Sequence, residues 1–81
     1  MIETYNKVLS VLQEMGYMIF EEAGDDFAIS DYIIDSLIFI EFIVMLEEKL
    51  NVELSDEFLQ YELLDSAYGF ASKIDSYISE I

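Results

Sequence analysis

Asp35-Ser36-Leu37 is the stretch of this chain whose residue types and position best suit a chemical role. It precedes a long apolar segment, so Ser36 is expected where a helix begins, with its hydroxyl exposed. The first N–H groups of a helix lack partners within the helix, and the helix dipole favours negative charge there. A phosphate ester on Ser36 would therefore be well placed. Asp65-Ser66 repeats the dipeptide, and either pair can cap a helix.

Other residue types offer little for catalysis or metal binding. The chain has no histidine or cysteine, and it lacks the glycine-rich patterns of phosphate-binding loops. Carboxylate pairs such as Glu21/Glu22 and Asp25/Asp26 are frequent, but an acid/base pair needs a cleft that separates the two pKa values. The oxygen ligands around Asp25 do not follow the EF-hand spacing, and a zinc site usually needs Cys or His. We expect no catalytic residues, no enzyme activity and no dedicated metal site.

Composition predicts one folded, strongly acidic domain over residues 1–81. Eighteen carboxylates face only three lysines, which gives a net charge of −15. The hydrophobic fraction of 54% is too high for a disordered acidic chain, so the charge must lie on the surface. Such a surface repels nucleic acid and anionic membranes and attracts basic partners. No apolar run approaches the roughly 20 residues of a membrane span, and the N-terminus lacks a basic signal region, so we expect a cytoplasmic protein.

Hydrophobic spacing predicts helices and no convincing strand. The first helix is expected at about residues 2–15, ended by Gly16, and the second from Asp35 or Ser36 to about 50, ended by Asn51. A short helix should follow from Ser55 to about residue 61, and a further helix after the Asp65-Ser66 cap. The predicted fold class is all-α: a small bundle of three main helices plus one short helix.

The same spacing predicts which side chains are buried. The inward face of the first helix is expected to carry Ile2, Tyr5, Leu9, Leu12 and Met15. That of the second helix should carry Phe39, Phe42, Ile43, Leu46 and Leu50. That of the last helix should carry Ala67, Phe70, Ala71, Ile74 and Ile78. The side chains expected to hold the connection 16–34 against the core are Phe20, Phe27, Ile29, Ile33 and Ile34.

The opposite side of the second helix mixes apolar and acidic residues. Leu37, Val44 and Met45 alternate there with Glu41 and Glu48. Acidic residues that steer a partner and apolar residues that contact it would make this a docking surface. Alternatively, the helical phase differs and another segment, such as 16–34, covers these residues.

Asp35-Ser36-Leu37, the mixed helix behind it and residues 46–54 (LEEKLNVEL) together resemble the acyl and peptidyl carrier proteins. The resemblance implies an acyl-carrier-like bundle in which Ser36 is esterified to 4′-phosphopantetheine. A phosphopantetheinyl transferase would supply this group from coenzyme A. The thiol of the arm would then hold an acyl or aminoacyl group as a thioester. Asp35 matches the position that helps place magnesium and cofactor during loading, and Leu37 completes the cofactor-binding motif.

The resemblance also implies partners. The positions that would dock partner enzymes are Leu37, Ile38, Glu41, Val44, Met45, Glu47 and Glu48. The partners would be the transferase, a loading ligase, adenylation enzyme or acyltransferase, and a downstream synthase or transferase, acting on a monomeric carrier. Ile38 and Phe39 replace residues that are more polar in fatty-acid carriers, and Ser55 stands where proline is frequent. The segment 55–65 is slightly longer than in fatty-acid carriers. A free-standing carrier for an amino acid or a specialised acyl group therefore fits better, and the pathway stays open.

The charge also permits a different class of protein. An acidic interaction module, such as a DNA mimic that blocks a basic groove, would use the −15 charge without needing Ser36. A degenerate carrier that serves only as an unmodified subunit is a further alternative.

Overall fold

The computed structural model describes residues 2–18 and 26–80. Three α-helices carry the fold: α1 (Ile2–Glu14), α2 (Ser36–Leu50) and α3 (Ala67–Glu80). Three short 3₁₀ helices connect them: η1 (Ile29–Asp31), η2 (Asp56–Phe58) and η3 (Tyr61–Asp65). The described residues contain no strand, and α1 packs against both α2 and α3. The all-α bundle predicted from sequence is confirmed.

The predicted helix ends are also found. Gly16 has a positive φ of 98°, and the N–H of Tyr17 reaches back to the carbonyl of Leu12 at 3.1 Å. Asn51 adopts the left-handed conformation after α2, with φ 58° and ψ 40°, and its N–H bonds the carbonyl of Glu47. Both residues tolerate this conformation, so each can reverse the chain at a helix end.

The short helix predicted over residues 55–61 is replaced by η2 and η3, which Leu59 and Gln60 separate. Phe58 and Leu64 are both fully buried. In one continuous α-helix, residues six apart would point about 120° away from each other, so only one could face the core. Breaking the helix between them lets both side chains enter the core.

Most of the predicted inward faces are buried. In α2 and α3 the first four predicted residues of each face are buried, while Leu50 and Ile78 are partly buried. In α1 Tyr5 and Leu12 are buried as predicted, but Val8 and Val11 are also fully buried, and Leu9 and Met15 only partly. The side chain of Ile2 lies outside what the structure describes. The core of the described residues consists of Tyr5, Val8, Val11, Leu12, Phe27, Ile29, Ile33, Phe39, Phe42, Ile43, Leu46, Phe58, Leu64, Ala67, Phe70, Ala71 and Ile74.

The connection before α2 follows the prediction except at one residue. Phe27, Ile29 and Ile33 are buried as expected. Ile34 was expected in the core but is 75% exposed, because the chain turns outward there to begin α2. The predicted anchor Phe20 lies outside the described residues.

Aromatic rings join the second half of the bundle. Phe70 of α3 lies 5.8 Å from Phe42 of α2 and 6.2 Å from Phe58 of η2, measured between ring centroids. Phe58 also meets Tyr77 edge to face at 5.3 Å, and the Nζ of Lys73 lies 5.6 Å from its centroid. Ring pairs of this geometry add to the apolar burial that holds α2, η2 and α3 together.

Polar contacts tie α1 to its neighbours. Lys49 of α2 donates to the hydroxyl of Ser10 at 3.0 Å and forms an ion pair with Glu14. The hydrogen bond from Lys49 lowers the pKa of Glu14 below its ordinary value. Thr4 donates a hydrogen bond to Asp75 of α3. Within residues 2–18 and 26–80, no helix has the length and apolarity that a membrane crossing requires.

Candidate functional site

Ser36 is the first residue of α2 and is exposed. The helix is capped by Asp35, whose Oδ1 accepts a hydrogen bond from the N–H of Ile38 at 2.9 Å. The carbonyl of Asp35 accepts from the N–H of Phe39 at 3.0 Å. Within the described part of the chain, neither the Ser36 hydroxyl nor the N–H groups of Ser36 and Leu37 have a hydrogen-bond partner. Capping is therefore done by the aspartate, and the serine hydroxyl is free.

The second Asp-Ser pair is arranged differently. The hydroxyl of Ser66 donates to Oδ2 of Asp26 at 2.6 Å and accepts from the N–H of Gly69 at 3.0 Å. Ser66 therefore caps α3 and is fully engaged. The two Asp-Ser dipeptides are equivalent in sequence, but their serines differ in the structure. The Ser66 hydroxyl has two hydrogen-bond partners, whereas that of Ser36 has none among the described residues.

The start of α2 suits an anionic substituent. Its first turn contains no acidic residue, and its first N–H groups point out of the helix without an intrahelical partner. A phosphodiester on the Ser36 hydroxyl would meet these donors and the positive end of the helix dipole. A 4′-phosphopantetheine group therefore fits the residues present.

The backbone before Ser36 is anchored at Ile33. Its side chain is fully buried, and its N–H bonds the carbonyl of Ile29 at 3.1 Å. Its own carbonyl accepts a hydrogen bond from the Tyr61 hydroxyl at 2.7 Å. Sequence reasoning did not single out Tyr61, since no local pattern links a residue in η3 to one 28 positions earlier.

Asp26 links the segment that precedes η1 to the start of α3. Its Oδ1 accepts from the N–H groups of Phe27 and Tyr68, each at 2.9 Å, and the carbonyl of Phe27 accepts from Ala67 at 2.8 Å. Partial burial would raise the pKa of Asp26, but the hydrogen bonds from Ser66 and from these N–H groups outweigh it and lower the pKa. In the sequence Asp26 was considered as part of the carboxylate pair Asp25/Asp26, and nothing there indicated its contacts with α3.

The outer face of α2, defined as Leu37, Ile40, Glu41, Val44 and Glu48, is open to solvent. Leu37 is 76% exposed, Ile40 53% and Val44 47%, and both glutamates are exposed. Ile40 was missed by sequence reasoning, although its spacing of three from Leu37 and four from Val44 places it on that face.

The other residues predicted to bind partners are less accessible. Ile38 and Met45 are half-buried and pack against the core. Glu47 is half-buried, and its Oε2 accepts from the N–H of Leu54 at 2.8 Å, which closes the turn after α2. An open groove of about 330 Å³ at this end of the helix is lined by Val44, Glu47, Glu48, Asn51, Val52 and Glu53.

Comparison with known families identifies the kind of domain that this chain contains. A family model described as a phosphopantetheine attachment site matches residues 19–71, which is more than half of the chain. The matched segment includes Ser36, all of α2, η2 and η3, and the first part of α3. Searches of curated proteins and of solved structures found no match.

Proposed function

Because the chain belongs to the phosphopantetheine attachment-site family, whose members hold 4′-phosphopantetheine covalently, we propose that Ser36 is the residue that carries this group. The observation that carries the proposal is the free, exposed hydroxyl of Ser36 at the start of a 15-residue helix. Attachment of 4′-phosphopantetheine requires a serine hydroxyl that an enzyme can reach and an environment that accepts the negative charge of a phosphodiester.

The matched segment contains three other serines, and each suits the role less well. Ser66 is engaged by Asp26 and Gly69. Ser30 is half-buried within η1. Ser55 is exposed, but it precedes a three-residue 3₁₀ helix that begins with Asp56 and Glu57, so it lacks the long helix dipole and the first turn without acidic residues that follow Ser36.

The chain acts as a carrier, and carrier domains of this family are generally non-catalytic. When bound, phosphopantetheine supplies a terminal thiol on which cargo can be held as a thioester. The chain itself holds the attachment residue in place. Asp35 uses one carboxylate oxygen for the cap, and the second oxygen is available for the part in loading that the resemblance to carrier proteins implies.

We further propose that residues 1–81 form one carrier domain for an aminoacyl or a specialised acyl group. The apolar residues Ile38 and Phe39 after Ser36-Leu37 support this, because the resemblance to carrier proteins implies more polar residues there in fatty-acid carriers. A fatty acyl cargo is the second candidate. The family match gives no support to a DNA mimic. Intact mass of the arm-bearing protein from its native source would identify the cargo.

The attachment residue is tested by incubating the protein with coenzyme A and a promiscuous phosphopantetheinyl transferase. Intact mass spectrometry should show the addition of one arm to the parent and none to Ser36→Ala. Ser55→Ala is the matched control, because it removes an exposed hydroxyl elsewhere in the matched segment, and it should be loaded like the parent. Loading of Ser36→Ala at the parental rate would show that the site is misassigned.

Carriers of this family interact with a phosphopantetheinyl transferase and with biosynthetic enzymes. We propose that the outer face of α2 makes these contacts, since it is apolar and acidic and begins next to Ser36.

Val44→Glu should raise the KM for the carrier in the loading reaction, because it replaces an apolar contact with a charge. Ser72→Glu adds the same charge at an exposed position of α3 and should leave the KM unchanged. Equal effects of the two substitutions would contradict the assignment of this face.

A further inference from the structure

Tyr61 contacts the chain on both sides of Ser36. Its hydroxyl donates to the carbonyl of Ile33 at 2.7 Å and lies 3.5 Å from that of Ser30. Its ring meets the buried ring of Phe39 in α2 edge to face, with centroids 6.1 Å apart. One side chain thus fixes the backbone three residues before the serine and packs against the helix three residues after it.

The segment between these contacts has few other anchors. Ile34, Asp35, Ser36 and Leu37 are all exposed, so burial of their side chains does not define the path of the backbone. The Asp35 cap fixes the segment to α2, which begins at Ser36 itself. On the preceding side, the position of the backbone relative to the rest of the bundle depends on Ile33.

The Tyr61 hydroxyl is the link between Ile33 and η3. Tyr61 is 43% exposed, so the hydroxyl could have been solvated by water without a protein partner. Instead it satisfies a backbone carbonyl across 28 residues of sequence. Because η3 packs against η1, this hydrogen bond also fixes the position of residues 33–36 relative to these two elements.

We propose that Tyr61 is a positioning residue for the Ser36 site, holding the residue 33–36 backbone in the conformation that the phosphopantetheinyl transferase binds. The proposal rests on the assignment of Ser36 as the attachment residue. Without the Tyr61 hydroxyl, a smaller fraction of molecules would present the serine correctly, and apparent affinity falls in proportion to that fraction. The interaction with Phe39 is independent of the hydroxyl and would remain.

The test compares Tyr61→Phe with Tyr77→Phe in steady-state loading by one transferase with saturating coenzyme A. The control removes the same oxygen from a tyrosine in α3 whose hydroxyl has no partner among the described residues. The KM of Tyr61→Phe should rise by up to about tenfold, which is the full effect of a hydrogen bond of ordinary strength, with kcat unchanged. An equal KM for both variants would overturn the proposal. So would a Tyr61→Phe protein that melts below the assay temperature, because the hydroxyl would then be needed for folding.

Amide hydrogen exchange provides a readout that does not depend on loading. The N–H groups of Ile38 and Phe39, which close the first turn of α2, should exchange faster in Tyr61→Phe than in Tyr77→Phe. Unchanged exchange would overturn the proposal. Loading of Ser36→Ala at the parental rate would instead refute the assignment of Ser36, and the exchange comparison would still report on Tyr61.

Discussion

Replacing Asp26 with asparagine should weaken the junction between the connection and α3. The Asp26 carboxylate accepts three hydrogen bonds, from the N–H groups of Phe27 and Tyr68 and from the hydroxyl of Ser66. Asparagine keeps Oδ1 as an acceptor for the two N–H groups. It loses the charge and the second acceptor oxygen, so the Ser66 hydroxyl must reorient.

The expected loss follows from these contacts. Deleting a helix-capping side chain costs about 0.5–2 kcal/mol, and hydrogen bonds to a charged acceptor are stronger than neutral ones. Asp26 is exposed, and solvent weakens its interactions. We therefore expect Asp26→Asn to lower the free energy of unfolding by about 1 kcal/mol and Asp26→Ala by about 2 kcal/mol. In a domain of this size, 1 kcal/mol corresponds to a fall of about 4–8 °C in Tm.

The assay is urea denaturation of the parent and Asp26→Asn from about pH 7 to about pH 3. Since folding lowers the pKa of Asp26, its charge stabilises the fold above the unfolded value of 3.8. This contribution is lost as the pH falls through the lower folded value. The difference between the two proteins should therefore be largest at neutral pH and disappear in acid.

Asp31→Asn is the matched control, because it removes one exposed charge that makes no side-chain hydrogen bond within the described residues. Asp31→Asn measures how much the free energy of unfolding changes when one negative charge is removed from a chain of net charge −15. A difference between parent and Asp26→Asn that is independent of pH, or one that Asp31→Asn reproduces, would refute the reasoning.

Two further predictions concern the whole bundle. Raising the ionic strength from about 0.01 M to 0.15 M should raise Tm, because the Debye length falls from about 30 to 8 Å and carboxylate repulsion is screened; a Tm insensitive to NaCl and MgCl₂ would contradict this. Phe58→Ala should lower the free energy of unfolding by about 3–5 kcal/mol in urea denaturation, because Phe58 is fully buried against Phe70 and Tyr77. Leu59→Ala, next in sequence but exposed, should have less than half that effect.

The helices and the position of Ser36 could be predicted from sequence because both depend on local rules. Helical spacing located α2, and an aspartate before a serine indicated its first turn. In α1 the prediction was right for Tyr5 and Leu12, but Val8 and Val11, which recur with the same helical spacing, are buried more deeply than the predicted Leu9 and Met15. Only the position of neighbouring helices decides which set is buried.

The contacts that support the site could not be predicted in this way. The bond from Tyr61 to Ile33 joins residues 28 apart, and that from Ser66 to Asp26 joins residues 40 apart. Such pairs depend on how the elements pack, and a single sequence contains no periodic signal for them. Helix breakage between Phe58 and Leu64 likewise follows from the position of the core.

The pairing of α1 with α3 has a consequence for the order in which the protein can fold during synthesis. Thr4, near the beginning of α1, donates to Asp75 in α3, 71 residues later, and Tyr5 meets Tyr68 with ring centroids 5.0 Å apart. Within this domain, α1 therefore makes these contacts only after α3 has been synthesised. Asp26 bonds Ser66 and the N–H of Tyr68 in the same way, so the junction between α3 and the connection before Ser36 also forms only when α3 is present, and we expect the bundle to be completed after α3 has been synthesised.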